Sequence, residues 1–272
     1  MNTSAIQLPD YHQRFMNRFL TACQADARVV AAFLGGSYAK GTADAYSDLD
    51  LSVITTDAAY EDFFAGREAF LRQLGELLFL EHFDLPNVPF CIFADGSEVE
   101  LWFGSEGHLD HLHSGPYQVL LDKTGILTAA VFPAYEPTQH EQIETLRRLI
   151  AWFWHDVSHF ITAMGRDQLW WAHGQLEGLR RYCVNLARLG HTFAAQTEGY
   201  EKVEQALPPE QLAPLQATYC PLERDAMLDA AWVIVRFYQD LAPRLAQTHG
   251  LAYPDGLERM MVERLEHVPM HV

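Results

Sequence analysis

Two carboxylates stand two residues apart in the apolar run "DLDLSVIT", which starts at residue 48. Side chains alternate along an extended strand, so Asp48 and Asp50 share one face while Leu49 and Leu51 lie on the other. Neighbouring carboxylates repel each other, and this costs stability unless a cation or a proton lies between them. Mg²⁺ binds through carboxylate oxygens together with the phosphates of a substrate. The pair therefore indicates a magnesium site that handles a phosphorylated ligand.

A turn rich in glycine, "GGSYAKGT", precedes this strand and follows the apolar run "RVVAAFL". Glycine lets backbone N–H groups approach a ligand closely, and the hydroxyl of Ser37 adds a donor, which suits a phosphate chain. Lys40 can neutralise phosphate charge, although a solvated lysine is an equal alternative. The turn is neither a P-loop nor a dinucleotide-binding fingerprint, and Ala39 stands where a nucleophile elbow requires glycine.

A third carboxylate is expected from a neighbouring strand, and "EVELWF" offers two candidates. Glu98 and Glu100 share one face of this segment, opposite Val99 and Leu101. Three carboxylates that hold one or two metal ions form the arrangement used for in-line attack on a nucleotide phosphorus.

These segments together resemble a known superfamily. "GGSYAKGTADAYSDLDLSV" is similar to the hallmark of the DNA polymerase β-type nucleotidyltransferases, a glycine–serine turn followed by a D-x-D strand. "EVELWF" resembles the strand of the third carboxylate, where Glu100 matches better than Glu98 and where aspartate is more common. The resemblance covers residues 30–103, and the remainder, "LLDKTGIL" followed by helices, resembles the aminoglycoside and lincosamide nucleotidyltransferases.

The resemblance implies a role for each residue of these motifs. The serine turn would hold the triphosphate, and the carboxylates would be catalytic and bind Mg²⁺. The predicted nucleotide-binding residues are Gly36, Ser37, Lys40 and Ser47. The predicted catalytic and metal-binding residues are Asp48, Asp50 and Glu100, with Glu98 left open as an alternative third carboxylate.

The predicted secondary structure that positions these residues changes near residue 135. Up to residue 135 strands and helices mix, with a helix predicted from about residue 58 to 75 and a hairpin turn at Asp95-Gly96. Beyond it the apolar residues recur at helical spacing and prolines separate the segments. The sequence predicts an α+β protein: a nucleotidyltransferase domain (1–135) with a mixed sheet flanked by helices, and an all-helical bundle (136–272) for the acceptor substrate.

The composition excludes several classes of partner. With 19 Lys+Arg and 36 Asp+Glu the net charge is −17, which repels nucleic acid and attracts cations. No apolar run is long enough to span a membrane, and the first residues lack the pattern of a secretion signal. The four cysteines, Cys23, Cys91, Cys183 and Cys220, form no C-x-x-C pair and fit a reducing cytoplasm, where we expect the protein to be located.

Two further motifs receive structural interpretations. His155 and His159 stand four residues apart in "HDVSH", but Asp156 replaces the glutamate that zinc proteases require, so we interpret them as ordinary helix residues. The run "LWW" at 169–171 has helical spacing to later leucines, which predicts core packing.

The sequence thus predicts an enzyme that transfers AMP from ATP, with Mg²⁺, to a hydroxyl of a small molecule. The acidic balance favours an aminoglycoside acceptor, a small polycation, over a lincosamide with its single amine. A catalytically idle partner in a toxin–antitoxin type of system, and an enzyme that modifies lincosamides or proteins, are the alternatives. The general base, Glu100 or a carboxylate of the helical half, stays open, as do the base preference and the oligomeric state.

Overall fold

A computed structural model of the chain describes residues 9–82, 85, 87–193 and 199–269. The chain divides into two compact units, Met1–Tyr135 and Glu136–Val272, and each unit has its own buried apolar core. The first unit combines a sheet with helices, and the described part of the second contains helices alone. The predicted α+β class, with a mixed sheet followed by a helical region, is confirmed.

Six strands form one sheet in the first unit. They are β1 (Val29–Leu34), β2 (Leu49–Thr55), β3 (Leu77–Glu81), β4 (Phe90–Phe93), β5 (Glu98–Ser105) and β6 (Gln118–Asp122). The spatial order is β3-β4-β5-β2-β1-β6. Only the β2–β5 pair is parallel among the described strand pairs, and the others are antiparallel. The sheet is therefore mixed, with β2 and β5 at its centre.

The two faces of the central strands differ in polarity. Leu49, Leu51 and Leu101 are fully buried and pack in the same core as α1 (Asp10–Ala25). This burial specifies the register, because a slip by one residue would turn the leucines out and the carboxylates in. The face that carries Asp50 and Glu100 is thereby directed away from this core.

The connection between β2 and β3 differs from the sequence-based expectation of one helix. It contains two helices, α3 (Asp57–Ala65) and α4 (Arg67–Leu74), which are separated by Gly66. Gly66 has ψ near 7°, outside the α-helical range, and glycine is a poor helix former because it loses much backbone entropy. A short helix, α2 (Gly36–Lys40), joins β1 to the loop before β2, and a 3₁₀ helix (Glu106–His111) follows β5.

The second unit contains the remaining helices. They are α5 (Gln139–Gly165), α6 (Leu169–His191), α7 (Val203–Ala206), α8 (Pro209–Gln216), α9 (Arg224–Thr248) and α10 (Asp255–Glu266). A capping box of Thr138 and Glu141 starts α5, and stacked rings of Phe153 and Tyr238 join α5 to α9 in the core. No helix in the described part of the chain has the length and apolarity needed to cross a bilayer.

Core packing of the "LWW" run is wrong for its two tryptophans. Trp170 is 84% exposed and Trp171 is 37% exposed, whereas Leu169 packs against the core. These residues open α6, and in its first turn Leu169 packs against the core and Ala172 is buried while the two tryptophans are exposed.

Candidate active site

The three predicted carboxylates lie together on the polar face of the sheet. Asp50 on β2 and Glu100 on β5 are directly paired in the parallel register, so their side chains emerge on the same face. Asp48 precedes β2 by one residue. One carboxylate oxygen from each of the three lies within 4.8 Å of the other two. The long-range β2–β5 pairing thus brings residues 50 positions apart into one cluster.

The electrostatics of this cluster favour a cation or a proton. Burial, with the neighbouring charges of Asp48 and Glu100, raises the pKa of Asp50 to about 6, and Lys40 offsets part of this. Burial and the charge of Asp48 also raise the pKa of Glu100. The donor set consists of carboxylate oxygens, the ligands that Mg²⁺ prefers, so the residues present fit this ion.

The glycine–serine turn adjoins the carboxylates. The N–H of Gly35 donates to the backbone oxygen of Asp50 at 2.8 Å, which fixes the end of β1 against β2. Gly36 follows with φ = +54°, a backbone conformation that favours glycine. The turn then continues into α2, which ends at Gly41 with φ = +73°.

Ser37 is the most informative residue of the turn. Its hydroxyl oxygen is shielded from solvent and has no hydrogen-bond partner among the described residues. A buried polar group without a partner costs free energy, so its presence points to a ligand that would satisfy it. Lys40, at the end of the same short helix, lines the cleft beside Asp50 and supplies a positive charge.

Ser47 and Glu98 lie outside this arrangement. The hydroxyl of Ser47 accepts from the backbone N–H of Asp44 (2.9 Å) and is 3.3 Å from the Asp44 carboxylate, so it stabilises the turn before β2. Its nucleotide-binding role stays a prediction. Glu98 is exposed at the start of β5, opposite Ile92 of β4, and is not part of the carboxylate cluster.

The cleft at this site has a volume of about 370 Å³. Its lining also includes residues that the sequence analysis did not assign to the site, namely Ser52, Trp102, Leu112, His113 and Ser114. Strand alternation could have identified Ser52 and Trp102, because they follow Asp50 and Glu100 by two residues and are paired across the strands.

His113 arrives at the cleft from the segment after β5. Its Nε2 lies 3.0 Å from the carbonyl oxygen of Pro116, and its ring packs edge-on against Phe33 and Phe132. This placement depends on contacts with distant parts of the chain, so the sequence around His113 does not indicate it by itself.

A comparison with protein families agrees with the chemistry of this site. The family described as streptomycin adenylyltransferase matches residues 11–268. No curated protein matches the chain. Among solved structures, the crystal structure of an aminoglycoside 6-adenyltransferase from Bacillus subtilis has 17% sequence identity and a TM-score of 0.44, and the match covers 96% of this chain and 99% of that chain. Because the family match spans nearly the whole sequence, the protein is a nucleotidyltransferase that belongs to the streptomycin adenylyltransferase family.

Proposed function

We propose that this enzyme transfers AMP from ATP to a hydroxyl group of an aminoglycoside in a reaction that requires Mg²⁺. The observation that carries the proposal is the cluster of Asp48, Asp50 and Glu100, together with the shielded hydroxyl of Ser37, which has no hydrogen-bond partner among the described residues. The name of the family adds the adenylyl group and the kind of acceptor. An idle toxin–antitoxin partner would be expected to have lost carboxylates, and this chain retains all three.

Each residue of the cluster has a proposed part in the reaction. Asp48, Asp50 and Glu100 hold Mg²⁺, which when bound offsets the negative charge of the triphosphate. Ser37 donates a hydrogen bond to a phosphate oxygen, and the ammonium group of Lys40 neutralises a further part of the charge. The acceptor oxygen forms a bond to the α-phosphorus, the bond from that phosphorus to pyrophosphate breaks, and the hydroxyl proton passes to a carboxylate.

Glu100 is the proposed general base for that proton. Burial and the charge of Asp48 raise the pKa of Glu100 in the metal-free protein, and a carboxylate oxygen that does not hold the ion is available to accept the proton. Glu100 also lies on the same strand face as Trp102, whose indole ring lines the cleft and offers a flat apolar surface to a bound ring system. We propose that Trp102 contacts a substrate there.

The preference for an aminoglycoside follows from the charge. Four acidic residues of the helical unit are engaged locally: Glu141 caps α5, Glu144 pairs with Arg147, Asp156 binds Tyr182, and Asp167 pairs with Arg224. Because these side chains have local partners, we do not assign them direct contacts with the acceptor. We propose instead that the net charge of −17 creates a long-range electrostatic field that steers a polycation toward the protein. The unit 136–272 is the proposed acceptor domain.

Mass spectrometry of reaction products tests the proposal. Purified enzyme is incubated with ATP and Mg²⁺ and with one acceptor at a time: streptomycin, other aminoglycosides, or a lincosamide. We expect an AMP adduct on at least one aminoglycoside, no adduct when EDTA replaces Mg²⁺, and acceptor binding that weakens as salt rises to physiological strength. Parallel reactions with GTP, CTP and UTP establish the base preference.

The reactions with other acceptors distinguish the alternative functions. An adduct on the lincosamide alone, or on the protein itself, would replace the proposed acceptor and leave the nucleotidyl transfer standing. Absence of an adduct in every reaction, together with absence of pyrophosphate release, would contradict the proposed function.

A further inference from the structure

A second group of potential metal ligands lies on α5, in the helical unit. One nitrogen or oxygen atom from each of His155, Asp156 and His159 lies within 4.8 Å of those of the other two. The histidines are one helical turn apart and therefore occupy the same face. Their ring centroids are 4.3 Å apart and the planes are inclined by 56°. Two imidazoles placed in this way can reach a single ion.

The carboxylate of Asp156 orients the first imidazole. His155 Nδ1 lies 2.8 Å from Asp156 Oδ1. An ionised carboxylate only accepts hydrogen bonds, so Nδ1 carries the proton and the lone pair of the neutral ring lies on Nε2. Histidines that bind metals commonly donate their other ring N–H to a carboxylate in this manner, which fixes both the tautomer and the ring orientation.

Asp156 is itself held by a residue of another helix. The hydroxyl of Tyr182, on α6, donates to Asp156 Oδ2 over 3.0 Å. Burial and the nearby Asp156 raise the pKa of Tyr182 to about 12, so the hydroxyl keeps its proton at neutral pH. The two hydrogen bonds that link Tyr182, Asp156 and His155 thus hold the imidazole in a fixed orientation before an ion binds. This reduces the entropy cost of binding.

We propose that His155 and His159 form a binding site for a transition-metal ion of the Zn²⁺, Co²⁺, Ni²⁺ and Cu²⁺ class, with Asp156 as a positioning residue. The ligand chemistry separates this site from the carboxylate cluster: imidazole suits these ions, whereas sites made of oxygen ligands suit Mg²⁺. His155 is 46% exposed in its side chain, so an ion can enter from solvent and water can complete its coordination. The site goes beyond the proposed nucleotidyl transfer and does not depend on it.

Two tryptophans make binding at this site observable. The ring of Trp152 lies 4.8 Å from that of His155, and the ring of Trp171 lies 5.9 Å from that of His159. Cu²⁺ and Ni²⁺ quench indole fluorescence at short range, so their binding here should decrease the emission of the protein. Zn²⁺ does not quench in this way and serves as a competitor that restores the emission.

Equilibrium dialysis of untagged, EDTA-treated protein tests the proposal, with Zn²⁺ as the probe and excess Mg²⁺ present to occupy the carboxylate cluster. We expect one Zn²⁺ bound per chain in the wild type, and loss of this ion in His155→Ala and in His159→Ala. The control is His173→Ala, because His173 is an exposed histidine on α6 outside the ligand group. Failure of the wild type to bind Zn²⁺, or unchanged binding in the His155→Ala/His159→Ala double variant, would overturn the proposal.

Asp156→Asn tests the positioning role separately. Removal of such a supporting carboxylate weakens metal binding by roughly 10–100-fold, with the stoichiometry unchanged at saturation. Circular dichroism and the melting temperature of the metal-free variant show whether the helices are intact. A folded Asp156→Asn variant with the Zn²⁺ affinity of the wild type would refute the role of Asp156. If Asp156→Asn does not fold, Tyr182→Phe replaces it, and this variant should weaken Zn²⁺ binding by less than the loss of the carboxylate.

Discussion

Gly36 lies against the carboxylate of Asp50 with no space for a side chain between them. A Cβ atom built on Gly36 would lie 1.5 Å from Oδ2 of Asp50 and 2.4 Å from its Cγ, far inside van der Waals contact. A glycine is therefore required at this position of the turn by the carboxylate of Asp50 as well as by its own backbone conformation, φ = +54°. The turn and the D-x-D strand are coupled at this point.

Gly36→Ala should abolish Mg²⁺-dependent ATP binding and turnover, because the new methyl group must displace the Asp50 carboxylate. Gly41→Ala is the matched control: Gly41 also has a positive φ, +73°, but no atom lies within 4 Å of a Cβ added there. In both variants the free energy of unfolding should fall by about 1–2 kcal/mol, because alanine is disfavoured in the left-handed backbone conformation. Calorimetric titration with ATP and Mg²⁺ should show a loss in the first variant alone. If the affinity for ATP fell equally in both variants, backbone strain and not the contact with Asp50 would determine binding.

Asp50→Asn should raise the stability of the metal-free protein near neutral pH. The folded protein retains the Asp50 proton up to a pKa of about 6, whereas an unfolded chain releases it near a pKa of about 3.9. The folded state binds more protons between these values, so the free energy of unfolding falls as pH rises through this window. Asparagine cannot ionise and does not contribute to this fall.

The measurement is urea unfolding in EDTA at several values of pH. The stability advantage of Asp50→Asn over the wild type should grow from about pH 4 to pH 6 and then level off. Added Mg²⁺ should stabilise the wild type more than the variant if the ion binds the folded state through the carboxylates as proposed. A difference that does not vary with pH would contradict the repulsion inferred for this cluster.

Ser37→Ala should weaken the binding of ATP by about 1–2 kcal/mol, the contribution of one hydrogen bond to a charged phosphate. The protein without ATP should be at least as stable as the wild type, because a shielded hydroxyl without a described partner is removed. Calorimetry with Mg²⁺ measures the affinity. Ser47→Ala provides the comparison, and a smaller loss is expected because its hydroxyl is bound to Asp44. Unchanged affinity in Ser37→Ala would make Ser37 a turn residue only.

Local patterns were sufficient to predict the central strands and the carboxylate pair. Alternation places Asp48 and Asp50 on one face, and the buried leucines between and after them specify which face is polar. The same rule left Glu98 and Glu100 equivalent. The difference between them comes from the register of β5 against β2, in which Glu100 is the partner of Asp50. Register is a long-range property that one strand alone does not encode.

Other features depended on tertiary packing and were not predictable. The cleft residue His113 is positioned by the rings of Phe33 and Phe132, which come from distant segments. Trp170 follows Leu169, the residue of the run that packs against the core, but Trp170 itself lies in the first turn of α6 and is 84% exposed. Periodicity identifies a helix face, and only the neighbouring helices determine whether that face is buried.

The most direct test of the proposed active site compares two glutamates of β5 in the transfer of AMP to an aminoglycoside. Glu100→Gln removes a charge from the carboxylate cluster, while Glu98→Gln makes the same chemical change two residues earlier on the same strand face, outside the cluster. With ATP, Mg²⁺ and an aminoglycoside that the wild type modifies, mass spectrometry should detect the AMP adduct for the wild type and Glu98→Gln and none for Glu100→Gln. Equal adduct formation by both variants would contradict the assignment of the active site.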